Sequence, residues 1–254
     1  MLIQGLQRLT LLDFPGKIAC TVFTGGCNMR CPYCHNGSLA LGQGEMNISA
    51  EELLAFLGSR VGRLDGVCIS GGEPTLHRDL PELIREIKAL GFKVKLDTNG
   101  TNPEMLLSLI NDGLLDYVAM DVKNSPEKYA LTAGLNSELT SPHRRADTEG
   151  DGELSDPSNT QKKDDLLAKI RLSAKILMEN RVDFEFRTTL MRELHSEGDL
   201  EAIGRWLSGE EKYFLQTYRD EGDLLVGGFT AYTPEETQRL LDILREYIPN
   251  AEIR

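Results

Sequence analysis

Short β-rich runs alternate with amphipathic helical stretches along most of this chain, and that rhythm limits the possible folds more than any other feature. KIACTVF (17–23), GVCIS (66–70), FKVKLD (92–97), DYVAMDV (116–122), VDFEFRTTL (182–190) and KYFLQTY (212–218) read as six strands. SAEELLAFLGSRV (49–61) reads as a helix, with Ser49 as N-cap and Glu52 completing a capping box. A second helix buries Leu80, Leu83, Ile84, Ile87 and Leu90 on one face. A third begins at Asn102, with Pro103 at its first position. DDLLAKIRLSAKILMEN (164–180), DLEAIGRWL (199–207) and TPEETQRLLDILREYI (233–248) complete the helices, and AEIR adds a short terminal strand.

Repeated strand–helix units imply a parallel sheet with right-handed crossovers. Two architectures satisfy this, a partial (β/α) barrel and a doubly wound sheet. The polar residues separate them. The cysteine run follows the first strand, GGEP (71–74) the second, and DTNG (97–100) closes the third. Asp121 and Lys123 close the fourth, Arg187 the fifth, and Gln216 and Tyr218 the sixth. All lie at strand C-termini, the active face of a barrel, whereas a doubly wound sheet gathers its ligand residues at one switch point. The expected fold is α/β, a partial (β/α)6-type barrel formed by a single domain over residues 1–254.

One segment breaks the rhythm. Residues 135–161 hold no aromatic residue and only Leu135, Leu139, Ala146 and Leu154 as apolar ones. Such a stretch buries too little surface to offset its ordering entropy, so it is read as a disordered insertion.

A net charge of −12 argues against a nucleic-acid partner, which needs a basic footprint. The N-terminal MLIQGLQRLTLLDF does not resemble a signal peptide, and no run reaches the roughly 18 apolar residues of a membrane span. The expectation is a cytoplasmic protein with no membrane association. Thiols stay reduced there, so clustered cysteines point to metal or redox chemistry.

The cluster is GGCNMRCPYCHNG (25–37), with Cys27, Cys31 and Cys34 in a C-x3-C-x2-C run. A structural zinc site wants four protein ligands. His35 adjoins Cys34 and is badly placed as a fourth, and His77, His143 and His195 lie far along the chain. An iron–sulfur cluster suits closely spaced thiolates better. Three cysteines on a [4Fe–4S] cube leave one iron open to a small molecule. Cys20 and Cys68 sit inside apolar strands and read as buried structural thiols.

CNMRCPYC, with Tyr33 before its last cysteine, followed one strand later by GGEP, resembles the radical S-adenosylmethionine (radical SAM) family. Within it, LLDFPGKIACTVFTGGCNMRCPYCHN, DTNG, MDVK, FRTTL and the closing EIR are similar to the activases of glycyl radical enzymes, those of anaerobic ribonucleoside-triphosphate reductase in particular. The likeness spans the chain except for the insertion.

The resemblance implies a [4Fe–4S] cluster held by Cys27, Cys31 and Cys34, whose open iron chelates S-adenosylmethionine (SAM). One electron, from a flavodoxin or ferredoxin, then cleaves the sulfonium to give a 5′-deoxyadenosyl radical. The radical takes a hydrogen atom from a glycine of the partner, here the reductase large subunit. Gly71 and Gly72 would let backbone approach the ligand closely. Pro74 would fix the following turn, and Glu73 would either structure that loop or touch the ligand. Thr98 lies in DTNG beside the ligand. Asp97 and Asp121 end neighbouring strands, where two unpaired carboxylates would repel. In related pyruvate formate-lyase activating enzymes the matching aspartates bind a monovalent metal ion, and the resemblance carries that cation here. Lys123 would hydrogen-bond the ligand or pair with Asp121. Arg187, inside an apolar strand, needs a buried partner, the ligand carboxylate being one. A histidine that reaches the ribose in some members is absent, with Gln216, Tyr218 or Arg219 as replacements. Trp206 reads as core. The alternatives keep the radical chemistry but change the target, to another glycyl radical enzyme or a small molecule, or reduce the protein to a metal-bearing scaffold.

Overall fold

The computed structural model describes residues 1–135, 157–209, 212–220 and 222–254. In chain order the strands are β1 (Ile3–Thr10), β2 (Ala19–Thr24), β3 (Gly66–Gly71), β4 (Lys93–Thr98), β5 (Tyr117–Asp121), β6 (Asp183–Leu190), β7 (Tyr213–Thr217) and β8 (Glu252–Ile253). The helices are α1 (Gly37–Ala40), α2 (Ala50–Gly58), α3 (Leu80–Ala89), α4 (Pro103–Asn111), α5 (Tyr129–Thr132), α6 (Pro157–Met178), α7 (Glu197–Trp206) and α8 (Pro234–Arg245). The eight strands form one sheet in the order β1 to β8, antiparallel between β1 and β2 and parallel from β2 onward. Every parallel neighbour pair follows chain order, so the strand C-termini share one rim, as the polar residues predict.

All six predicted strands are present, as is the terminal one. β1 was not foreseen. Gln4, Gly5, Gln7 and Arg8 interrupt any apolar alternation in it, and only Ile3, Gln4 and Thr10 are buried. β1 is held by its pairing with β2 rather than by a face of its own. The expected disordered insertion is corrected at one end: α6 starts at Pro157, inside the predicted span, while residues 136–156 lie outside the described residues. Among the described residues, no helix is long and apolar enough to cross a membrane.

The helix signals act locally as read. Ser49 Oγ accepts from Glu52 N (3.1 Å) while Glu52 accepts from Ser49 N (2.8 Å). Asn102 Oδ1 accepts from Met105 N at 3.2 Å. Thr233 and Glu236 form the same reciprocal cap on α8. Leu80, Leu83, Ile84 and Ile87 of α3 are buried in the main core, each contributing about 1.5–3 kcal/mol.

β8 is fastened by charge as well as by pairing. Glu185, 1 % exposed, accepts from Tyr117 Oη at 2.9 Å and from the Arg254 guanidinium at 3.0 Å on both oxygens. The same guanidinium lies 3.4 Å from the Phe214 ring centroid. Replacing Arg254 by alanine leaves a buried carboxylate with one donor fewer. Arg254→Ala is expected to lower stability by about 1–3 kcal/mol, seen as a lower urea midpoint at unchanged slope. An unchanged midpoint would show that water supplies the missing donor at no cost.

Candidate active site

The loop after β2 carries the cysteines, and three separate contacts fix it over the rim. The first is backbone against backbone. Gly72 N donates to Thr24 O and Glu73 N to Gly26 O, each at 2.8 Å. A Cβ on Gly72 would lie 2.1 Å from Gly26 O, and one on Gly71 would lie 2.4 Å from Thr24 N at a φ of +107°. These glycines are therefore required by the approach of the chain to itself, not by approach to a ligand alone. The second contact is Arg30 N to Ala133 O at 3.0 Å, where a Cβ on Gly134 would meet Arg30 O. The third is the loop before α8, through Val226 N to Pro32 O (2.8 Å) and Gly37 N to Asp223 O (2.7 Å). His77 adds a ring N–H to Gly25 O at 3.0 Å.

Cys27, Cys31 and Cys34 line one wall of a cavity of about 240 Å³. Among the described residues, no three His, Cys, Asp or Glu side chains converge as a cage for a single ion. The three cysteines share the lining of the cavity instead. Burial pushes the Cys31 thiol up to about 12 and raises Cys27 as well. Both are protonated thiols until a positive metal centre makes thiolates of them. Donors already face the Cys27 sulfur, Met29 N at 3.4 Å and Asn99 Nδ2 at 3.7 Å, and N–H groups there favour the thiolate. Tyr33 also lines the cavity, 4 % exposed, and its hydroxyl has no partner among the described residues. Three cavity-facing thiols, N–H donors on sulfur and an unmatched buried hydroxyl fit a [4Fe–4S] cluster with a polar ligand beside it.

Across the cavity runs a row of alternating charge. Lys95 pairs with Asp97 Oδ1. Asp97 Oδ2 accepts from Ser70 Oγ at 3.0 Å and lies 3.5 Å from Arg187 Nη1. Arg187 Nη2 and Nε reach Asp121 Oδ1 at 2.9 and 3.0 Å, and Lys123 Nζ takes Asp121 Oδ2 at 2.8 Å. Register explains the meeting, since Asp121 stands opposite Arg187 on β6. Burial opposes charge on both aspartates, yet Arg187 with Lys95 or Lys123 outweighs it and holds both carboxyls below the usual range. Of the two readings of Lys123, the pair with Asp121 is present, and Asp97 is paired as well, so neither carboxylate is bare. Arg187 has its buried partners in Asp97 and Asp121, while Glu185 serves Tyr117 and Arg254.

Gly71, Gly72, Asp97, Thr98, Asp121, Lys123 and Arg187 all reach the cavity lining, as do Ser70, Asn99, Thr189 and Gln216. Glu73 and Pro74 do not. Glu73 is fully buried, and its carboxylate accepts from Thr75 N (3.1 Å), Thr75 Oγ1 (2.5 Å), Thr98 Oγ1 (2.8 Å) and Asn99 N (2.6 Å). It ties the GGEP turn to the end of β4, which supports the structural one of its two readings. Pro74 opens the short 3-10 turn Pro74–Leu76. Of the three candidates near the end of β7, Gln216 lines the cavity. Tyr218 instead packs tilted against His35 and edge-on against Phe229. Trp206 packs edge-on against Tyr129. Cys20 and Cys68 are fully buried thiols, as read.

Sequence reasoning missed Lys95, Asn99 and His195. His195 is 2 % exposed, accepts from Met191 N at Nδ1 (3.2 Å) and donates from Nε2 to Lys123 O (2.9 Å), so it fixes the backbone that carries Lys123. For Lys95 the KLD spacing was a visible signal, since residues two apart share a strand face.

Comparison with known proteins identifies the assembly. The Radical SAM superfamily matches residues 21–146. The Methanocaldococcus jannaschii protein named "Putative glycyl-radical enzyme activating enzyme MJ1227" is 34% identical over 259 residues, covering 100% of this chain and 95% of that protein. This chain belongs to the radical SAM superfamily. A "Probable GTP 3',8-cyclase" of Methanothermobacter thermautotrophicus is 34% identical over 109 residues, which is 42% of this chain and 35% of the cyclase. Among solved structures, a radical SAM methyltransferase from Sphaerobacter thermophilus superposes with a TM-score of 0.66 at 19% identity, over 97% of this chain and 68% of that one. Streptococcus suis SuiB bound to S-adenosylmethionine gives 0.60 at 15%, over 91% of this chain and 48% of SuiB. At these identities the likeness shows the fold, an α/β radical SAM architecture with a mostly parallel sheet. Membership implies a [4Fe–4S] cluster and SAM, which the three thiols and the charged mouth fit.

If Glu73 is structural, its loss is felt without any ligand. Glu73→Ala strands four buried donors and is expected to destabilise the cluster-free protein by about 3 kcal/mol or more, measured by chemical denaturation. Wild-type stability in that state would return Glu73 to a ligand role.

Proposed function

We propose that this radical SAM enzyme activates a glycyl radical enzyme, and that its target is anaerobic ribonucleoside-triphosphate reductase. The observation that carries the reading is the whole-length likeness to a protein named as a glycyl-radical enzyme activating enzyme, set against a cyclase likeness confined to 42% of the chain. The motifs similar to the reductase activases support the finer target.

When bound, the cluster and SAM supply a reductively generated 5′-deoxyadenosyl radical that removes a hydrogen atom from the α-carbon of the partner's glycine. The residues of this chain hold and shield that chemistry. Cys27, Cys31 and Cys34 would hold the cluster, and the donors on Cys27 would tune its electron density. Three cations against two carboxylates leave the row with a surplus of one positive charge, which suits the methionine carboxylate of SAM at Lys123 and Arg187. Gly71, Gly72 and Thr98 border the ligand with backbone and a small side chain, so little bulk intrudes. Tyr33 brings an unpartnered hydroxyl to the lining, and Gln216 offers a polar group that a ribose hydroxyl could use. The electron comes from a flavodoxin or ferredoxin in the cytoplasm.

The test is anaerobic incubation with reductant, SAM and the large subunit of the reductase, read by electron paramagnetic resonance. The expected result is a glycyl doublet on the partner, with one 5′-deoxyadenosine formed per radical. 5′-Deoxyadenosine without a partner radical would overturn this target and favour another glycyl radical enzyme or a small-molecule substrate.

A further inference from the structure

We infer that the chain supplies its own counter-cation: the ammonium of Lys95, buried beneath the mouth, stands in for the monovalent metal ion that the resemblance to pyruvate formate-lyase activating enzymes would put beside Asp97 and Asp121. The inference rests on the proposed seat of SAM above the charged row.

Two carboxylates brought to adjacent strand ends must be neutralised, either by a bound ion or by side chains. Here side chains partner every carboxylate oxygen. Arg187 spans the gap between the aspartates, 3.5 Å from Asp97 and 2.9 Å from Asp121. The outer oxygen of Asp121 belongs to Lys123, and the outer oxygen of Asp97 to Lys95. A sodium or potassium ion needs several of these oxygens at once. To enter, it would have to displace a guanidinium or an ammonium. It would also add charge to a row that already carries a positive surplus. The residues therefore do not fit the ion.

Lys95 is the member that makes the difference. It is 1 % exposed and absent from the cavity lining, so it does not touch the ligand. Its Nζ reaches Asp97 and lies 3.8 Å from Cys68 Sγ, in the interior between β3 and β4. A lysine is seldom placed so deep without a charge to serve. It is a positioning residue: it neutralises Asp97 from below, so that the row's surplus positive charge falls to Arg187 and Lys123, which line the cavity where the methionine carboxylate would sit.

SAM binding to the reconstituted protein, followed anaerobically in sodium, potassium or choline chloride at equal ionic strength, tests this. Wild-type affinity is expected to agree within about twofold across the three salts. Lys95→Met keeps the apolar stem and removes the charge. In choline it is expected to bind SAM about tenfold more weakly, the least that an uncompensated buried carboxylate should cost, with recovery in sodium or potassium. Lys95→Arg is expected to bind without help from either ion. A tenfold dependence of the wild type on sodium or potassium would overturn the proposal, and that series needs no variant. So would a Lys95→Met protein that matches wild type in choline. No partner enzyme enters the experiment, so an error in the assigned glycyl radical target would leave its outcome unaffected.

Discussion

Five charged side chains can share one buried mouth only because their signs alternate. Lys95, Asp97, Arg187, Asp121 and Lys123 run across β4, β5 and β6, and each carboxylate is flanked by two cations. Desolvation opposes every one of these charges, and the removal of any partner leaves its neighbour exposed to that penalty. The row is accordingly rigid in composition. Its one unit of surplus positive charge is what makes it the proposed seat of the methionine carboxylate of SAM.

The second constraint is steric. Gly72 meets Gly26 and Gly71 meets Thr24 at distances no side chain would permit. The GGEP turn and the cysteine loop are thereby welded into one unit, with Glu73 buried beneath as the hydrogen-bonding post. A cluster carried on that loop would be held by the same backbone contacts that fix the loop to the GGEP turn. The two halves of the site come from distant parts of the sequence, yet the parallel sheet brings their strand ends to a common rim.

Much of this was legible in the sequence. The strand–helix rhythm, the Ser49 and Asn102 caps and the gathering of polar residues at strand ends follow from local chemistry, and all appear in the fold. The three cysteines were singled out by their spacing, and their part as cluster ligands came from that spacing together with the resemblance. What escaped notice depends on which backbone lies opposite which. β1 has no apolar period of its own, so only its pairing with β2 reveals it. The purpose of Gly71 and Gly72 was assigned to a ligand because the neighbouring Gly26 carbonyl cannot be seen in a linear string. The part Arg187 plays between Asp97 and Asp121 was hidden because the register that sets Asp121 against Arg187 belongs to tertiary structure. Lys95 shares a face with Asp97 in any strand, but its burial makes the pairing matter. His77 and His195, set aside as metal ligands, proved to be clips on backbone carbonyls.

The central claim is a cluster held by three cysteines with one iron left to SAM. It is tested most directly by iron and sulfide content of the anaerobically reconstituted protein, together with the paramagnetic resonance spectrum of its reduced form before and after SAM is added. The account requires about four irons and four sulfides per chain and a spectrum that changes when SAM binds. A single metal ion per chain, or a cluster signal that SAM leaves untouched, would contradict it.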